Sequence, residues 1–238
     1  MGCELDSVMN YPVKDALIRF IKQENPAENL ERILYELWED YPSPAFNSLM
    51  NSLGTHDTPR ILTVLGSDER LHVLNKEEKA RYKLTQEQVT AAKKRLFNML
   101  IIWAFLPGIP CIYYGDELGM QGAEDPFNRG CLEENKGDTA VLDYYIALLA
   151  FRGSIGEIGR MAFKSGQSEG SVYAFSRSVQ NSVLQVRVNA GTKVESLRIA
   201  DLPTAGNKRL FINGHVVFTE DGLVELGEQS GFICYYQN

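Results

Sequence analysis

The sequence predicts an α/β chain that ends in an all-β module. Short apolar strands alternate three times with helical patterns up to about residue 155. The texture then changes to alternating segments such as "SVYAFSRS" and "SVLQVRVNAG", set between Gly, Asn and Ser turns. With 238 residues the chain can bury the core of one large domain or of two small ones. The division predicted is 1–155 for the strand–helix part and 156–238 for an antiparallel β domain.

Taken in order, "LDSVMNYP" (5–12) reads as a strand stopped by Pro12. "VKDALIRFIKQE" follows, with Ala16, Leu17, Phe20 and Ile21 on one helical face. Pro26 restarts a helix through "AENLERILYELWEDY", where Leu30, Ile33, Leu34, Leu37 and Trp38 recur at threes and fours. "FNSLMNSLG" leads into the loop "GTHDTP", and "PRILTVLG" predicts a short helix. Residues 67–84 are polar and read as a connection. Thr85 is placed to cap the helix "TQEQVTAAKKRLFNMLIIWAFL", with Gln88 supplying a weak capping box. "CIYYGDELG" predicts a buried strand running into a loop, and 120–138 is a long polar loop of the kind that often binds ligands. "TAVLDYYIALLAFR" is the last helix.

Hydrophobic content of 44% and charged content of 23% are those of a soluble globular protein. A net charge of −7 argues against nucleic acid, and no Lys/Arg cluster favours a membrane surface. The uncharged run 96–114 is long enough to raise a transmembrane reading, but Asn98, Pro107, Gly108 and Pro110 break it into the end of a helix and a short strand. Cys3, Cys111, Cys131 and Cys234 are scattered without metal-ligand spacing and read as free thiols in a reducing compartment. The opening "MGCELD" lacks the Ser or Thr of a myristoylation signal at Asp6, and no secretory signal is present. The expectation is a cytoplasmic protein without metal or organic cofactor.

Strand–helix alternation implies parallel strands, and such folds place their chemistry at the carboxyl ends of the strands. The three loops at that end are "NYP", "GTHDTP" and "GDELGMQGAEDPFNRG", which hold most of the chemically distinctive residues. His56 beside Asp57 offers an imidazole and a carboxylate together. Helix capping is the simpler use of that dipeptide, with Asp57 or Thr58 ahead of Pro59. Tyr113 and Tyr114 read as core packing with satisfied hydroxyls rather than ligand stacking. His72 and His215 read as surface residues, and Asp116 with Glu117 is too sparse for a metal site.

"GIPCIYYGDELGM" (108–120), followed by "DPFNR" (125–129) and combined with "LDSVMNYP" and "HDTPR", closely resembles the α-amylase family of glycoside hydrolases. Within it, the neopullulanase, cyclomaltodextrinase and maltogenic amylase group is nearest, and the resemblance runs on through "LLAFR" and "VYAFSR". It implies strands 6 to 8, with their helices, of a (β/α)8 barrel, followed by an antiparallel β-sandwich domain. It further implies that Asp57 is the third of the family's three catalytic carboxylates, that His56 binds substrate, and that Asp125 and Arg129 contact sugars beyond the cleaved unit; bracing of the loop by that Arg–carboxylate pair is the equal alternative. The nucleophilic Asp and the general-acid Glu belong to strands 4 and 5, which have no counterpart among these residues. A substitute pair of Asp57 and Glu117 is conceivable, since adjacent strands carry them, but Glu117 resembles a structural residue.

The reading is therefore the C-terminal portion of a retaining α-glucan hydrolase, inactive by itself, with an α-glucan or maltooligosaccharide as its partner. The alternative is a non-catalytic carbohydrate-binding or interaction module derived from such an enzyme. Thr55 stands where the family more often has Asn or Ser, and "GCLEENKGD" after Arg129 lacks the usual Pro-Met and aromatic residue. Open strand edges predict self-association through the strand–helix part, with the β domain folding on its own.

Overall fold

The computed structural model describes residues 7–68, 71–132, 134–199, 208–219 and 222–237. Cys3 and the start of the first expected strand lie outside them. Helix α1 (Tyr11–Ile21) begins with the Asn10 side chain accepting from Val13 N, and Pro12 sits in its first turn. This corrects the reading of Pro12 as a strand stop: the missing N–H of proline is harmless at a helix start, where no carbonyl awaits it. Ahead of α1, among the described residues, Met9 forms a parallel bridge to Met50.

Helix α2 (Ala27–Asp40) and the single turn α3 (Ser43–Phe46) lead to strand β1 (Met50–Ser52). After the 53–60 loop comes α4 (Ile61–Gly66), and then α5 (Lys76–Arg81), a helix inside the stretch expected to be a connection. Its signal was present: Asn75 and Glu78 form a complete capping box. Helix α6 (Gln86–Phe105) follows, and Thr85 and Gln88 close a full box of their own.

Strand β2 (Ile109–Cys111) pairs in parallel with β1, Met50 opposite Ile109 and Ser52 opposite Cys111. It is shorter and more open than the buried strand expected, with Ile109 52% exposed, because the face of the β1–β2 pair bearing Met50 and Ile109 has no covering layer among the described residues. Helix α7 (Thr139–Gly153) ends the strand–helix part and is capped by Asp138.

The rest is antiparallel. Strands β3 (Ala162–Ser165), β4 (Val172–Val179), β5 (Ser182–Asn189), β6 (Glu195–Arg198), β7 (Lys208–Asn213), β8 (Val216–Phe218), β9 (Leu223–Leu226) and β10 (Ser230–Gln237) form two sheets. One has the order β3-β4-β5-β10-β7 and the other β6-β9-β8. Period-two alternation divides β10 between two cores: Ile233 faces α6, while Phe232, Cys234 and Tyr236 join Val224 and Leu226 of β9.

Helix α6 is the centre of the larger core. Every side chain from Met99 to Phe105 is buried, between α4 and α7 on some sides and strands β5 and β10 on another. A helix that is apolar all round belongs inside a protein, which accounts for the uncharged run at 96–114. No helix among the described residues is long and apolar enough to cross a membrane.

Two polar ties join α6 to the large sheet. Asn98 donates to Asn189 O at 3.2 Å and accepts from Asn213 Nδ2 at 2.7 Å. Arg177, on β4, reaches the carbonyls of Phe105 and Leu106 and donates twice to Met161 O, so a cation closes the negative end of the helix. Burial pulls the Arg177 guanidinium down to about 10, which still leaves it charged at neutral pH. Helix α6 and one face of the large sheet thus share a single buried cluster.

Candidate functional site

The loop after β1 is shaped by its own hydroxyls. Asp57 N donates to Thr55 Oγ1 and Thr55 N to Thr58 Oγ1, each at 3.2 Å, and the two hydroxyls are 3.2 Å apart. Such side-chain turns give a short loop a fixed shape without regular structure. The capping use of the dipeptide is not found: α4 starts at Ile61 with Arg60 as its N-cap and no side-chain cap bond. His56 and Asp57 instead project outward, Nε2 to Oδ1 at 3.2 Å, with side chains 60% and 58% exposed.

From below, the loop is held by residues of the long 120–138 segment. Asn128 is fully buried, and its Nδ2 lies within hydrogen-bond reach of the carbonyls of Thr55, His56 and Thr58, at 3.2, 2.9 and 2.8 Å. Arg129 Nε reaches His56 O at 3.2 Å and Asp125 Oδ1 at 2.8 Å. The four residues singled out by sequence thus meet at one place. Asp125 and Arg129 form an ion pair that braces the His56 backbone, and both stay about half exposed.

Two residues of the site were missed. One is Asn128. The other is Arg60, which is wholly buried and donates from Nε to Asn128 O at 2.7 Å and from Nη1 to Tyr114 O and Asp116 Oδ1. Tyr113 and Tyr114 lie against its guanidinium, ring centroids 4.4 and 4.5 Å from Cζ. These tyrosines are therefore not barrel-strand core residues as expected; β2 stops at Cys111 and the chain turns them onto the cation, where π-faces attract it. The Tyr114 hydroxyl is satisfied at Gly130 O, 2.9 Å away.

Burial outweighs the neighbouring Arg60 and pushes the Asp116 carboxyl up to about 7. Gly54 is what lets Asp116 come so close to the loop: a Cβ there would lie 2.0 Å from Asp116 Oδ2. Glu117 has a buried Oε2 while Asp57 opens to solvent, so the two do not present themselves as an acid–nucleophile pair. Among the described residues no three His, Cys, Asp or Glu side chains gather as metal ligands. His72 and His215 are exposed, as expected.

The family model of the alpha-amylase catalytic domain matches residues 2–144, more than half of the chain. The chain belongs to the alpha-amylase family. It is 35% identical over 192 residues to the amylopullulanase of Thermoanaerobacter thermohydrosulfuricus, covering 76% of this chain and 12% of that protein. It is 30% identical over 233 residues to neopullulanase 2 of Thermoactinomyces vulgaris, covering 95% of this chain and 36% of that one. The alpha-amylase-family chain thus spans about an eighth of the first relative and little more than a third of the second. In fold it resembles the debranching enzyme of Nostoc punctiforme, with a TM-score of 0.77 at 22% identity over 99% of this chain and 49% of that one.

Proposed function

We propose that this chain is the C-terminal portion of a retaining glycoside hydrolase acting on α-1,4 and α-1,6 glucosidic bonds. In this reading residues 1–155 supply the last three strands and helices of a (β/α)8 barrel, and 156–238 a β-sandwich. The observation that carries it is the convergence of His56, Asp57, Asp125 and Arg129 at one loop cluster beyond the parallel strands, in a family whose named relatives here include an amylopullulanase and a neopullulanase.

A retaining glycosidase needs two carboxyl groups about 5–5.5 Å apart, one to attack the anomeric carbon and one to protonate the leaving oxygen. Asp57 serves neither role. As the sugar becomes oxocarbenium-like its hydroxyls become better donors, and an exposed carboxylate held on a braced loop binds them more tightly than in the ground state. His56 adds a donor beside it, and Asp125 with Arg129 contacts sugar units farther out. The nucleophile and acid lie on barrel strands that precede those in this chain.

The reading is tested by sequencing the DNA upstream of Met1 in frame. A Gly-x-Arg-x-Asp segment followed by a Glu-x-x-Trp segment supports it; an in-frame stop codon directly upstream overturns it. The same reading makes the isolated chain self-associate. Met50 (37% exposed) and its strand partner Ile109 (52%) lie open on the parallel strands, and exposed apolar side chains of this kind favour association. Light scattering on the isolated chain is expected to show dimers or larger species, and a monodisperse monomer contradicts this.

A further inference from the structure

Asp57 owes its place to the backbone beneath it. Among the described residues its carboxylate meets His56 Nε2 alone, and both side chains are open to solvent. Whatever fixes the 55–58 backbone therefore fixes the carboxylate.

The side chain of Asn128 does so with one atom. Its Nδ2 lies 3.2, 2.9 and 2.8 Å from the carbonyls of Thr55, His56 and Thr58, which flank Asp57 on both sides. Three acceptors around one atom of the amide identify that atom as the nitrogen. Its Oδ1 is buried without a partner among the described residues, which is a cost to the fold. An apolar side chain in this place would avoid that cost, so the use of asparagine here lies in its N–H groups. The residue is fully buried and cannot touch substrate itself.

Asn128 is fixed in turn from the start of α4. Arg60 Nε donates to Asn128 O at 2.7 Å, Arg60 N to Gly122 O at 3.0 Å, and Gly122 N to Thr63 Oγ1 at 3.0 Å. Gly122 backs directly onto Asn128: a Cβ there would lie 2.9 Å from Asn128 Cα and 2.5 Å from Phe127 O. A helix end, a glycine seat and a buried amide thus form a stiff path to the Asp57 loop. The neighbouring Arg129 donates to the same His56 carbonyl as Asn128, which joins the Asp125–Arg129 pair to that path.

We infer that Asn128 is a positioning residue, setting the place and direction of the Asp57 carboxylate through the three loop carbonyls. The inference rests on the reading of Asp57 as the group that binds the oxocarbenium-like sugar of an α-glucan hydrolase. In such a site a displacement of about 1 Å costs up to about 10²-fold in rate.

The test is a double-mutant cycle in the polypeptide translated from the complete reading frame, with maltooligosaccharides as substrate. Asn128→Ala is expected to lower kcat about tenfold and to leave KM within about twofold. Asn128→Ser keeps one donor and should lose less; it stands in if the alanine variant does not fold. In the Asp57→Asn background either substitution should cost less than about twofold further, because the group it positions is gone. A merely structural role lowers kcat by the same factor in both backgrounds. That result overturns the inference, as does an unchanged kcat in the folded Asn128→Ala variant, and both leave the Asp57 reading standing when Asp57→Asn alone is damaging. An unchanged kcat in Asp57→Asn alone, or a frame closed directly upstream of Met1, overturns the reading and this inference with it. Amide exchange in the 238-residue chain reads the same tie without turnover. The Asp57 N–H, which donates to Thr55 Oγ1, is expected to exchange about tenfold faster in Asn128→Ala while the amides of α6 keep their protection. Unaltered exchange at Asp57 contradicts the inference.

Discussion

Replacing Arg60 by methionine is expected to cost the folded chain about 3–5 kcal/mol in urea denaturation at pH 8, and distinctly less at pH 5. The guanidinium sits against Asp116 at 3.2 Å, with both side chains buried. It also holds Tyr114 O and Asn128 O, and through Asn128 the carbonyls of the 55–58 loop. Removing it at pH 8 leaves a buried carboxylate with no counter-charge, the case in which a broken ion pair is most damaging.

The pH dependence follows from Asp116, whose carboxyl stands at about 7 instead of 3.8. Between those values the folded chain keeps a proton that the unfolded chain has released. The stability contributed by that proton is complete below about pH 4 and is lost as pH rises through 7. At pH 5 Asp116 is neutral in parent and variant alike, so only the lost hydrogen bonds remain in the difference. Equal losses at the two pH values contradict this assignment. In the parent background Asp116→Asn should flatten the fall in stability between pH 4 and 7.

The isolated chain is expected to release no reducing sugar from pullulan, cyclodextrin or starch above the buffer rate. Enzymes accelerate reactions by about 10⁶-fold or more, and in a retaining glycosidase the step that does so is covalent attack at the anomeric carbon. In the role proposed for it Asp57 does not replace that attack, because a group that stabilises an oxocarbenium-like state acts only once something forms that state. The buried Oε2 of Glu117 offers no substitute. Turnover by the purified chain, insensitive to Asp57→Asn, contradicts the assignment of the loop.

Local signals were legible where the pattern is self-contained. The span of α6 follows from its periodicity and from Thr85 with Gln88. The site loop could be read as more than punctuation because three motifs far apart in sequence belong to one family pattern. Helix α5 was legible too, at Asn75 and Glu78, but its short polar run carries no apolar period to draw attention to it. Pro12 was ambiguous for a physical reason, since a residue without an N–H can close a strand or open a helix. Arg60 and Asn128 escaped because their partners lie more than 50 residues away: Arg60 meets Asp116, and Asn128 meets Thr55. A buried cation looks the same in sequence as an exposed one. The exposure of β2 was hidden for a similar reason, because an apolar strand does not say what covers it.

The measurement closest to the central claim is kcat on maltooligosaccharides for the polypeptide translated from the complete reading frame, compared with its Asp57→Asn variant. The predicted result is a fall of about 10²–10³ in kcat, the usual cost of losing one transition-state hydrogen-bonding group, with an unchanged unfolding midpoint. An unchanged kcat in the folded variant contradicts it.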